Sequence, residues 1–248
     1  MKRILVCLTL FAVAASAVSI SVAGAPADVS KAVGAKELAA AAKTKAEDLG
    51  KAVTNVASFE RATEAKAIAR DAGVIACLAQ ALVEHKDGEA SGINATGLRD
   101  AALVLSKTKK LDDAKAALTS VNDALAGKGA KGEKDHLWNK LVNMHRMMEE
   151  MELQGGKLRR VLKRPRRLEN YSENAAVLVV LGLAMEADTH EVKDKAKLPQ
   201  WTTWSKEYHQ AMSGLNTAIK AGDGDKAKSI FDASNETCDA CHEVFRDK

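Results

Sequence analysis

Apolar positions recur at helical spacing along nearly the whole chain. From Val29 to about Val56, Leu38, Leu49, Val53 and Val56 punctuate an alanine-rich stretch that reads as one long helix or two in succession. A second pattern runs from Phe59 to His85 through Ile68, Val74, Ile75, Leu78 and Leu82, and stops at the turn signal Lys86-Asp-Gly-Glu89. Residues 94–109 and 111–126 read as two shorter helices, with Leu98, Ala102 and Leu105, then Leu111, Leu118, Val121 and Leu125, as their stripes. Asp112 and Asp113 fall in a first turn, where carboxylates complement the helix dipole. Beyond a glycine-bearing polar stretch, Gly127 to Lys134, a methionine-rich helix is expected over 135–153 and a strongly apolar one over 170–188. Pro199, tolerated in a first turn, opens a helix through Trp201, Trp204, Tyr208, Met212, Leu215 and Ile219. Ala221 to Gly224 then turns the chain into a last helix.

This is an all-α pattern, and composition agrees, since only Pro26, Pro165 and Pro199 interrupt a chain rich in Ala, Leu, Lys and Glu. Its 248 residues suffice for one large or two ordinary domains. Residues 1–25 place Lys2-Arg3 before an apolar run, Ile4 to Val22, and small residues, the layout of a cleaved secretory leader. An uncleaved N-terminal anchor is the alternative. Cys7 leaves with the leader, and no other stretch is long and uncharged enough to span a bilayer. Without Lys2 and Arg3 the balance is 35 basic against 33 acidic residues, a charge that names no partner.

The two halves look like copies. Ala114 to Asp123 parallels Ala227 to Glu236, and Val74 to Glu84 parallels Ala176 to Glu186. Matching helix order argues for a duplicated four-helix unit, against the plainer alternative that alanine-rich amphipathic helices resemble one another by composition. The expected domains are 26–127, a linker over 128–134, and 135–248.

Candidate chemistry concentrates at the end of the second copy, in Thr237-Cys238-Asp-Ala-Cys241-His242, the Cys-x-x-Cys-His attachment pattern for c-type haem. On a helix, Cys238, Cys241 and His242 share a face, so two thioethers and one iron-ligating nitrogen meet a single macrocycle. Phe231 and Phe245 continue that stripe as apolar cover. A structural zinc site needs a second ligand pair that the chain lacks, and a thioredoxin-type dithiol needs a βαβ setting. In the repeat alignment Leu125, Lys128 and Gly129 stand where these three stand, so the first copy is expected to be haem-free. Aromatic placement agrees: of eight aromatics after the leader only Phe59 lies in the first half. Cys77, in an apolar helical run, reads as a buried inert thiol rather than half of an intermolecular disulfide.

A single Cys-x-x-Cys-His on the last helix of a bundle, followed by Phe245-Arg246, resembles the cytochrome c prime family and its low-spin class II relatives. The resemblance covers 134–248, and 29–127 only through the repeat. It implies thioether bonds at Cys238 and Cys241, proximal iron ligation by His242, and a distal ligand from the first bundle helix, here expected from His136 to Met151. Met144 is the first choice, followed by Met148, Met147 and His145; Lys140 stands where the family often has Arg. Flexible core filling is the other reading of this methionine cluster. The family also forms homodimers, which the haem-free half would replace by an internal pseudo-dimer.

Seven basic residues lie between Lys157 and Arg167, either a solvated connection between helices or a docking patch for an acidic redox partner. His85, His136, His190 and His209 read as surface or capping residues. The combined expectation is an exported, periplasmic monohaem cytochrome that transfers single electrons. It has no enzyme's acid–base–nucleophile set and no nucleic-acid partner. A five-coordinate module that binds NO or CO is the alternative.

Overall fold

The computed structural model describes residues 24–133 and 136–246. The expected leader lies outside them apart from Gly24 and Ala25. Among the described residues there is no strand, and ten helices follow one another: α1 (Val29–Ala32), α2 (Ala35–Ala52), α3 (Val56–Glu64), α4 (Ala67–Glu84), α5 (Ala95–Leu105), α6 (Leu111–Leu125), α7 (Met144–Leu162), α8 (Ser172–Ala187), α9 (Leu198–Lys220) and α10 (Gly224–Phe245). Side-chain caps set several starts. Asn55, Asn94, Asn143 and Asp223 each accept a backbone N–H three residues on, which satisfies a donor the first turn leaves free.

The first stretch takes the second of its two expected forms, two helices in succession, because Val33 is extended and Gly34 caps α2. Two boundaries differ from the sequence reading. The expected Phe59–His85 helix is broken by Lys66, which takes a left-handed conformation (φ 54°) between α3 and α4. The methionine helix starts at Met144 rather than 135, since Asn143 caps it, and runs on to Leu162. Lys140 therefore sits in a separate 3-10 turn, Trp138–Lys140, off the face that carries Met144. The basic segment is likewise only partly a connection, because Lys157, Arg159 and Arg160 belong to α7.

The two most apolar helices lie at the centre. α4 packs on α2, α5, α7 and α8, and α8 packs on α2, α7 and α9. Both bury residues on every side, Ala72–Leu82 in α4 and Ala175–Met185 in α8, as expected of helices enclosed by others. Cys77 is fully buried there, and burial pushes its thiol pKa up. α10 lies along α9 and also touches α7.

Where α2, α4 and α7 meet, four charges alternate in sign. Lys45 Nζ lies 3.1 Å from Asp71 and 2.5 Å from Glu150, and Arg70 Nε lies 3.0 Å from Asp71 and 3.1 Å from Glu150. Glu150 is fully buried, a depth at which a lone carboxylate costs several kcal/mol, so the cations hold α7 against the first half. The stretch before α7 is tied down as well. Asn94 Nδ2 donates to the carbonyls of Lys128 and Ala130, and the N–H groups of Gly132 and Glu133 donate to Thr96 and Asp100 on α5.

α8 and α9 approach most closely at Gly182, where an added Cβ would lie 2.7 Å from His209 Cβ and 2.9 Å from its Cα. Gly182→Ala is expected to destabilise the protein by about 1–3 kcal/mol, because backbone and not a flexible side-chain tip must move. Urea unfolding checks this; an unchanged midpoint contradicts the close approach. His209, expected at the surface or at a cap, is buried within α9, with Nδ1 2.5 Å from Glu186. His85 caps α4, its Nε2 donating to the Val33 carbonyl at 3.1 Å. His136 lies 3.2 Å from Asp100, and half-exposed His190 lies 2.6 Å from Asp188, whose hydrogen bond raises the His190 pKa.

Candidate functional site

α10 begins at an Asp223 cap and continues without interruption to Phe245. It therefore carries Cys238, Cys241 and His242 as one rigid turn. α6, which the repeat reading pairs with α10, stops at Leu125, and the chain then passes through Gly127 (φ 75°) and Gly129 (φ 81°), left-handed angles that favour glycine.

The face of α10 that bears the cysteines opens onto a cavity of about 1100 Å³. α7, α8 and α9 supply most of the other walls. Cys238, Cys241, His242, Phe231, Phe245 and Met144 all line it. Phe231 is buried, and α7 passes beside it at Gly155, where a Cβ would sit in ordinary contact, 3.8 Å from the Phe231 ring. Phe245 stands edge-on to Trp201 (centroids 5.1 Å apart) and to Trp204 (6.0 Å). Such T-shaped contacts join the end of α10 to the start of α9 and make one wall aromatic.

The methionines divide. Met144, Met148 and Met151 line the cavity, whereas Met147 is buried in the core outside it. Met144 is the first residue of α7 and itself buried, so its position is set by the Asn143 cap. His145 reaches the rim, but its side chain is 73 % exposed and its Nε2 lies 3.3 Å from Glu149.

Arg159 and Arg70 were not singled out for the lining by the sequence, and Trp201 only as one of the aromatics of the second half. Trp201 is 3 % exposed, and its indole N–H is buried with no acceptor among the described residues. A buried donor without a partner is costly, and here it belongs to a cavity wall. Arg159 lies over the Phe231 ring at 5.9 Å, which brings the basic segment to the cavity edge. Arg70 comes from α4, so the first half contributes a cation to the lining. The aromatic stripe of α9 was legible in the sequence as a core face; nothing local marks Arg70.

Burial, chiefly, raises the Cys238 and Cys241 thiols to about 11, and neighbouring Cys241 adds to the shift at Cys238. Both are therefore neutral near pH 7 and poor nucleophiles in the folded chain. Burial also raises Tyr208, while the Arg146 hydrogen bond holds Glu149 below the usual carboxylate range. Among the described residues no three His, Cys, Asp or Glu side chains converge as a site for a bare metal ion. Two thiols and an imidazole on one helical turn, with a thioether donor in the same cavity, are instead the donors that a flat macrocycle with a central metal requires. No family model, no curated protein and no solved structure matches the chain.

Proposed function

We propose that this protein is an exported monohaem c-type cytochrome of the cytochrome c prime kind, which carries single electrons. The observation that carries the reading is that Cys238, Cys241 and His242 line one aromatic-walled cavity together with Met144. The residues fit haem c in three respects: paired thiols for covalent attachment, an imidazole one residue on for iron, and the partnerless Trp201 N–H as a donor for an acceptor on the bound group. Haem supplies the one-electron couple. His242 and Met144 are the residues that would hold its iron, and methionine–histidine ligation would raise the potential and limit reorganisation. Phe231, Phe245, Trp201 and Trp204 exclude water.

The haem-free half completes an internal pseudo-dimer of two four-helix units. Contacts between the halves support this, for α2 meets α8 while α4 meets α7, and α4 meets α8. If α2 corresponds to α7 and α4 to α8, the first two pairs are one another's mirror under a two-fold axis and the third is self-paired. The leader and the covalent haem both place the protein in an oxidising compartment such as the periplasm. Among the described residues no helix is long and apolar enough to cross a membrane.

All seven basic residues of Lys157–Arg167 are exposed, and Arg159 brings the patch to the cavity. An acidic redox protein is the partner it fits, with charge acting mainly on association rate. Electron-transfer rates with such a partner are expected to fall roughly tenfold or more from low to high salt. A rate independent of ionic strength contradicts docking here.

An optical spectrum with and without CO tests the ligation. The expected ferrous protein is low-spin and binds CO slowly. A high-spin ferrous protein that takes up CO at once would instead establish the five-coordinate, gas-binding reading.

A further inference from the structure

We infer that the chain is cut between Gly24 and Ala25 on export, and that the α-ammonium group so released is held by the carboxylate of Glu84. The inference rests on the reading of the N-terminus as a leader, but not on haem. Ala25 N lies 2.7 Å from Glu84 Oε2. The other donors on that carboxylate are neutral, Trp138 Nε1 at 2.9 Å and Gln80 Nε2 at 2.5 Å. Arg99, fully buried, is one step away, its Nη1 donating to Gln80 Oε1 at 2.7 Å. In the uncut chain the Ala25 nitrogen is a further neutral donor, a peptide N–H. Cleavage adds a water across the Gly24–Ala25 peptide bond, leaves a carboxylate on Gly24 and turns that nitrogen into an ammonium. The contact with Glu84 becomes a charge-assisted hydrogen bond, a stronger interaction at the same place.

Packing changes at the same peptide bond. From Ala25 onward the chain is anchored. Ala25 and Ala27 pack against the core, and Val29 and Val33 are buried. Ser30 Oγ accepts the Lys86 N–H at 2.9 Å, and Ser213 Oγ donates to the Ala32 carbonyl at 2.9 Å. Gly24, by contrast, is exposed, and a Cβ built on it would meet nothing within 4 Å. Ala23, Gly24 and Ala25 are all small, so the sequence allows a cut on either side of Ala25 and the contact with Glu84 decides between them. Within the Gly24–Ala25 stretch where the sequence places the cut, cleavage after Ala25 would discard the one nitrogen that meets Glu84. Glu84 is the last residue of α4, and buried Trp138 opens the second half, so processing completes a clasp of the N-terminus, α4 and the second half.

N-terminal sequencing and intact mass of the exported protein, followed by pH-dependent acylation of its α-amine, test this. The expected first residue is Ala25. Its amine is expected to titrate above the ordinary range of about 7.7–8.0, and Glu84→Gln to return it there. A different first residue overturns the inference. So does an Ala25 amine of ordinary pKa in the wild-type protein, a result that does not depend on whether the variant folds. Both readouts are independent of pigment, so a colourless protein that begins at Ala25 with a raised amine refutes haem and leaves the clasp standing.

Discussion

The Cys238→Ser/Cys241→Ser double variant, exported from a host competent in cytochrome maturation, emerges with no covalently attached pigment. On a denaturing gel stained for haem the wild-type band is coloured and the variant band blank. Loss is expected to be complete, because both sulfurs stand on one turn of α10 and no other described cysteine reaches the cavity: Cys77 lies fully buried in α4. Each single variant retains one attachment point and stains. The substitutions themselves are mild for the polypeptide, since both thiols are only partly buried. A loss of colour with the far-ultraviolet helix signal intact therefore reports attachment rather than misfolding. Colour that survives the double substitution and denaturation contradicts the assignment.

Replacement of Met144 by alanine has the second large effect, a change of ligation state and not a graded loss. The side chain is buried at the first turn of α7 and lines the cavity, so its removal takes away the proposed sixth ligand. The ferrous protein is expected to turn from low-spin to high-spin, to bind CO promptly, and to show a lower reduction potential. Truncating a buried methionine also costs about 2–5 kcal/mol in stability. The spectrum separates ligation from packing, because Met147→Ala, equally buried but outside the cavity, is expected to lose similar stability while it keeps the low-spin spectrum. If the two variants have the same spectrum, Met144 is core filling only.

How much of this was legible in sequence depended on where the chain carried its own punctuation. α9 and α10 begin close to where they were expected, because Pro199 and the Gly222-Asp-Gly224 turn are local signals that tertiary packing does not override. The break at Lys66 was illegible. A lysine in left-handed conformation gives no sign of itself, and the apolar spacing runs through it unbroken. The start of α7 was set too early because Leu137, Trp138, Leu141 and Val142 mimic a helical stripe. Two of them meet α4 instead, where Val142 rests against Gly73 and Trp138 bonds to Glu84.

The site divided in the same way. Cys238, Cys241 and His242 are adjacent in sequence, so their common face follows from helix geometry alone. Met144, nearly a hundred residues away, could be named only by resemblance, and the structure places it on the same cavity. Arg70 and Arg159 were not legible, since their presence there depends on how α4 and α7 pack, information that no local pattern holds. The buried quartet of Lys45, Arg70, Asp71 and Glu150 has the same origin: each residue alone reads as an ordinary surface charge.

The intact mass of the exported protein under denaturing conditions bears most directly on the whole reading. One iron porphyrin bonded through Cys238 and Cys241 makes the polypeptide heavier by a single haem, and the addition survives acid–acetone extraction. A mass equal to that of the bare processed chain, from cells that mature other c-type cytochromes, contradicts it.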